Sequence, residues 1–154
     1  MLGLSACGGD DALSAEDYYK KMGEISADVN KKIDENNAAT PESEEPDAFK
    51  DYIVGVFDKN IPTVEDATKK VEELTPPEEI KAKHDAFVTA LKAQVTALKD
   101  FKSKIDDTDP EALNDLLSGF DPATVQGASD AACQALQDDA KSRNIDVDLD
   151  CGSN

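Results

Sequence analysis

Residues 74–105 read LTPPEEIKAKHDAFVTALKAQVTALKDFKSKI, and the spacing within this stretch decides the fold. Ile80, His84, Phe87, Leu91, Val95, Leu98, Phe101 and Ile105 recur every three or four residues, the stripe of a long amphipathic helix. The rest of the chain reads as cover for that stripe. Thr75 and Glu78 have the spacing of a capping box, with Pro76 at the first helical position.

Upstream, Ser14 stands where it can cap the amide of Asp17, and Leu13 and Tyr18 occupy hydrophobic-staple positions. Tyr18, Met22, Ile25, Val29 and Ile33 then form one helical face up to about Asn36. Residues 37–46, NAATPESEEP, hold turn formers and acids without apolar period and read as a mobile surface loop. A second helix is expected over residues 47–74, with Phe49, Ile53, Phe57, Ile61, Val64, Val71 and Leu74 inward. Pro62 removes one internal hydrogen bond. Phe57, Val64 and Val71 nonetheless keep a seven-residue spacing across it, so one kinked helix is expected. The short connection to the central helix makes these two antiparallel neighbours.

Downstream, residues 107–111 cap a short helix bearing Leu113, Leu116 and Leu117, which Gly119 ends. Asp121-Pro122 opens the last helix, with Val125, Ala128, Ala132, Leu136 and Ala140 inward and an end near Asn144. Ile145, Val147 and Leu149 alternate with Asp146, Asp148 and Asp150, the pattern of an extended strap. The fold class expected is all-α, an up-down four-helix bundle with a kinked second helix, a short extra helix and a C-terminal strap. Long Val/Ile/Thr alternations and hairpin signals such as Asn-Gly are missing, so almost no sheet is expected.

The chain has 154 residues, about one domain. Trp is absent and aromatics are 5%, which suits thin, closely spaced helices. A formal charge of −18 repels nucleic acid and anionic membrane surfaces, so nucleic-acid binding is set aside. The acidity otherwise reads as a solvated face. No run of about 18 apolar residues is present to span a membrane.

At the N-terminus, Leu4-Ser5-Ala6-Cys7 resembles a bacterial lipobox, the end of a lipoprotein signal peptide. The Leu-x-Pro-Pro-Glu run at Leu74, Pro76, Pro77 and Glu78, with His84 following and Cys133 and Cys151 near the end, resembles small helical lipoproteins of uncharacterised function. The resemblance implies lipidation of Cys7, cleavage before it, a Gly8-Gly9-Asp10-Asp11 tether and an extracytoplasmic, membrane-anchored domain on the cell surface or in the periplasm. It carries over no catalytic residue. A signal peptide also has a basic region and an apolar stretch of 7–15 residues. Only Met1-Leu2-Gly3 precede the lipobox, so a start upstream of Met1 or a trimmed copy is expected. The domain division that follows is residues 1–12 as signal remnant and tether and residues 13–154 as one helical domain.

If Cys7 carries lipid, Cys133 and Cys151 remain as an even pair. A disulfide between them would tie the strap to the last helix and requires an oxidising compartment. The alternative is two free thiols in a cytosolic helical protein.

His84 is the single histidine and lies on the inward stripe, where a histidine at the bundle edge, hydrogen-bonded to a carboxylate or backbone group, is the plain reading. No Ser/His/Asp pattern or Gly-rich phosphate loop accompanies it, and an enzyme is not expected. Asp146, Asp148 and Asp150 fit a calcium loop poorly, since Gly152 is one place late and no glutamate follows at the twelfth position. No metal and no cofactor is expected. Two functions therefore stand. One is a non-catalytic binding or interaction module facing an envelope protein partner. The other is a small-ligand or cation binder using His84, Tyr18, Tyr19 and the acidic tail. An exposed apolar groove between helices would support the first.

Overall fold

The computed structural model describes residues 12–152 apart from 42 and 44. The lipobox, Cys7 and the tether up to residue 11 lie outside the described residues. Among those described, all regular structure is helical: α1 Ala15–Asn37, α2 Pro46–Glu72, α3 Glu78–Asp107, α4 Leu113–Ser118 and α5 Pro122–Ser142. One 3-10 turn, Pro110–Ala112, leads into α4. Among the described residues no helix is long and apolar enough to cross a membrane.

Helix α1 starts as its sequence dictates. The Ser14 hydroxyl accepts from the Asp17 amide at 3.1 Å, and Glu16 and Asp17 place negative charge against the positive end of the helix dipole. Helix α2 has Pro46 in its first turn and runs unbroken through Pro62. At the other end of the molecule the Lys50 ammonium donates to the carbonyls of Asp106 and Thr108, at 2.9 and 2.6 Å, satisfying acceptors where α3 ends.

The start of α3 departs from the expected capping box. Thr75 is not the cap; Pro77 is, with φ −59° and ψ 151°, and no side chain caps the helix. A residue before proline is held out of the helical region, so Pro76 cannot open a helix ahead of Pro77. The Thr75 carbonyl is used elsewhere, accepting from the Leu13 amide at 3.0 Å and tying the entry of α1 to the α2–α3 connection.

Partner residues run in opposite directions along neighbouring helices. On α2 and α3, Glu72 meets Lys92, Glu65 meets Lys99 and Asp58 meets Lys102. On α1 and α2, Asp28 meets Lys70 and Asn36 meets Asn60. On α3 and α5, Glu79 meets Arg143 and Lys83 meets Asp139. Each of these pairs of helices is thus antiparallel.

The apolar interior divides in two. One core gathers Tyr18, Tyr19, Met22, Val71, Ile80, Phe87, Val88, Cys133, Leu136, Ala140 and Leu149. The other sits at the far end of α3, where Phe101, Ile105 and Leu113 pack with Phe49, Ile53, Phe57 and Phe120. Phe101 stacks there against Phe120 at 4.1 Å between ring centroids. Between the two cores Leu91, Val95 and Leu98 are only half-buried, although the stripe continues through them.

Helix α5 is rotated from its expected face. Its buried residues are Ser129, Cys133, Leu136, Gln137 and Ala140, while Ala128 is exposed and Val125 and Ala132 are half-buried. The strap is the reason, because it packs on the Cys133 and Gln137 side of the helix and covers it. Asn144 adopts a positive φ of 57° beyond the end of α5. The Asn144 amide then donates to the Lys141 carbonyl and the Ile145 amide to the Ala140 carbonyl, each at 3.0 Å. This paired closure turns the chain back along the helix.

The expected alternation of the strap holds. Ile145 and Val147 are half-buried and Leu149 is buried, while Asp146, Asp148 and Asp150 face outward. Three devices hold it. Cys133 and Cys151 form a disulfide. The buried Gln137 carboxamide donates to the Val147 carbonyl at 2.8 Å and accepts from the Leu149 amide at 2.7 Å, as a neighbouring strand would. Ser26 of α1 donates to the Leu149 carbonyl at 2.8 Å. Gly23 permits the close approach of strap to α1, since a Cβ there would lie 2.7 Å from a Val147 methyl.

Candidate functional site

The strap fills the seam between α1 and α5 at one end of the molecule, and among the described residues the rest of the seam is left open. The N-terminal half of α5 is the cause. Between residues 122 and 128 only Val125 is a large apolar side chain, and Pro122, Ala123, Thr124, Gly127 and Ala128 are exposed. The apolar face of α1 continues opposite as Ile25, Val29 and Ile33 with too little to cover it, so these residues end half-buried.

A groove of about 440 Å³ results. Its apolar lining includes Ile25, Val29 and Ile33 of α1, Val71 of α2 and Phe87 and Leu91 of α3. Leu149, Cys151 and Gly152 of the strap close one end, and the polar lining comes from Ser26, Asn30, Gln94, Gln126, Ser129 and the carboxylates of Asp34, Asp130 and Asp150. The Asn30 amide donates to the Asp150 carboxylate, bridging α1 to the strap at this edge. Among the described residues no lysine, arginine or histidine contributes to the lining.

The candidate residues His84, Tyr18 and Tyr19 lie together but elsewhere. All three are buried, and none lines the groove. The Tyr18 hydroxyl and His84 Nδ1 are 3.1 Å apart, and the rings of Tyr18 and Tyr19 meet edge to face at 5.1 Å. The Tyr19 hydroxyl donates to Asp139 at 2.9 Å, and Asp139 also receives Lys83 at 2.6 Å and Arg143 at 2.5 Å. The outcome is a closed network linking α1, α3 and α5, with no unsatisfied buried polar side-chain atom among the described residues. His84 is thus a hydrogen-bonded histidine, but it is buried rather than at the edge, and its partner is a tyrosine hydroxyl rather than the expected carboxylate or backbone group.

Burial drives the acid–base properties of this network. It raises the Tyr18 hydroxyl, with the Asp85 charge adding to it, and raises the Tyr19 hydroxyl, with Asp139 adding to it. It lowers His84 below the usual imidazole value, against a smaller upward pull from Asp85. Burial pushes the Asp139 carboxyl up, but hydrogen bonds from Lys83, Arg143 and Tyr19 outweigh it and hold the group at about 2. Both His84 and Asp139 therefore bind protons less readily folded than unfolded, and both weaken the fold as pH falls. Melting temperature is expected to decline first below about pH 6.5, through His84, and again between about pH 4 and pH 2, through Asp139. The second step amounts to about 1 kcal/mol once the half-exposed lysine is discounted for solvent screening. Thermal melts of the protein, His84→Gln and Asp139→Asn across this range test the assignment. A first step that survives in His84→Gln would refute it.

The acids of the tail are spread over separate contacts. Asp148 accepts from the Asp150 amide at 2.9 Å, Asp150 accepts from Asn30, and Asp146 and Asp148 border a separate open cleft of about 650 Å³ with Lys20 and Arg143. Among the described residues no group of three His, Cys, Asp or Glu is placed to hold a metal ion.

Sequence reasoning missed Gln137 and the groove. Gln137 offered no signal, being one polar residue on an amphipathic helix. The groove had one, the poverty of large apolar side chains in the first two turns of α5 opposite three well-furnished stripes.

Comparisons with protein-family models, with curated proteins and with solved structures find no match for this chain. The class of protein that fold and site define is an all-α domain with a stapled strap and a half-open apolar groove.

Proposed function

We propose that this protein is a non-catalytic binding domain of the bacterial cell envelope, anchored to the membrane through lipid on Cys7 and working outside the cytoplasm. The observation that carries the binding role is the groove, an apolar floor with a polar edge that the described residues leave uncovered, of a size suited to a ligand. The Cys133–Cys151 disulfide supports the compartment, since such bonds persist in oxidising surroundings. The antiparallel pairing of α1 with α2, α2 with α3 and α3 with α5 supports an up-down four-helix bundle, with α4 as the extra helix and a bend in α2 at Pro62.

Two measurements test this function. The mature protein from the host membrane fraction should have the mass of a chain beginning at Cys7 with acyl groups, rising by two daltons on reduction. An unacylated chain with free thiols would overturn the location. The neutral apolar dye Nile red should bind the domain in solution, and Val29→Asn, which places an amide in the groove lining, should abolish binding while leaving helicity unchanged. Dye binding unaffected by that substitution would overturn the groove as the site.

A further inference from the structure

We propose that the groove takes a small organic cation, with an apolar body over Ile25, Val29, Val71 and Leu91 and a protonated nitrogen at Asp130. This assignment rests on the groove being a binding site, and its chemistry follows from four observations.

The first is charge. Every ionisable group in the lining is a carboxylate, on a chain of formal charge −18, so an anionic ligand would meet repulsion with no cation to receive it. The second is Asp130 itself. Asp130 is half-buried, and among the described residues no hydrogen bond or ion pair to it is present. Other partly buried carboxylates of this protein are neutralised, Asp139 by Lys83 and Arg143 and Asp28 by Lys32 and Lys70. Asp34, on the opposite wall, also has no such partner and adds to the same field.

The third is size. A volume of about 440 Å³ lies within the range of small-ligand sites. The fourth is shape. The α1 wall runs from Met22 to Ile33, about 17 Å at the helical rise, and the strap stops the groove at one end. A partner helix needs a through-running channel and about 800 Å² on each side. A compact ligand needs neither. The hydrogen-bonding amides of Asn30, Gln94 and Gln126 suit the polar shoulder between an amine and its apolar body.

Calorimetric titration of the disulfide-intact protein at pH 7 and physiological salt, with three probes of one shape, tests the inference: 4-phenylbutylamine, 4-phenylbutan-1-ol and 4-phenylbutanoate. The amine should bind about tenfold more tightly than the alcohol, and the carboxylate least. Asp130→Asn should reduce amine affinity to that of the alcohol and leave the alcohol unchanged. Glu111→Gln, at the far core, should change neither. Equal affinity of amine and alcohol would overturn the cation and leave the groove intact as an apolar site. An amine preference that survives Asp130→Asn would assign it to overall acidity and overturn the proposed contact. Binding of none of the three would overturn both readings. Binding of a cationic amphipathic peptide without the amine would replace the small ligand by a protein partner.

Discussion

Replacing Gln137 by alanine is expected to destabilise the protein by about 3 kcal/mol, more than any exposed substitution on the same helix. The side chain is buried, and its two hydrogen bonds satisfy the Val147 carbonyl and the Leu149 amide. The Leu149 amide is buried with its partner and the Val147 carbonyl is partly buried, so truncation leaves the donor without protein or ready access to water and the acceptor only partly solvated. Each costs about 1–3 kcal/mol when left unmade. For a domain of this size the melting temperature should drop by roughly 10 °C. Hydrogen exchange at Leu149 reports the mechanism directly, since its amide should lose protection while those of the central turns of α3 keep theirs. Retention of both stability and Leu149 protection would mean that the disulfide and Leu149 packing alone hold the strap.

Removal of the disulfide, by reduction or by Cys133→Ala with Cys151→Ala, is expected to cost a further about 3 kcal/mol on the chain-entropy account, for a loop closed by residues 18 apart in sequence. The helices should persist, because each core is built from interhelical contacts that do not pass through the strap alone. The two losses should not add in full. Once the strap detaches, Gln137 has nothing left to hold, so Gln137→Ala should cost about 1 kcal/mol less in the reduced protein than in the oxidised one. Denaturant melts of the four combinations give the coupling, and strict additivity would show that Gln137 and the disulfide act on separate elements. Leu149, Cys151 and Gly152 also close one end of the groove, so reduction should weaken Nile red binding.

Much of the architecture was legible because it rests on local rules. The 3.6-residue period of α3, the serine cap of α1, Asp121-Pro122 ahead of α5 and the alternation of the strap each depend on neighbours a few residues away. The misplaced capping box of α3 was also a local matter, and the sequence contained the answer in the second proline. The face of α5 was not legible, because Ala128 and Ser129 are equally small, and which of them turns inward depends on the strap arriving from twenty residues away.

The candidate site divides in the same way. His84 on an inward stripe was readable as a hydrogen-bonded histidine, but its partner Tyr18 lies 66 residues away in sequence and was brought to it by packing of α1 on α3. The groove required more still. Ile25, Val29, Ile33 and Leu91 carry the same period as their buried neighbours, and no local rule separates a residue that is covered from one left half-exposed along a groove. By itself the sequence determined the helices, their order and the half-buried strap, because hydrogen bonding and apolar periodicity act along the chain. Tertiary structure alone decided that, among the described residues, the strap would wedge the α1–α5 seam at one end and leave it open at the other, because coverage depends on the volume that distant side chains bring to a shared space.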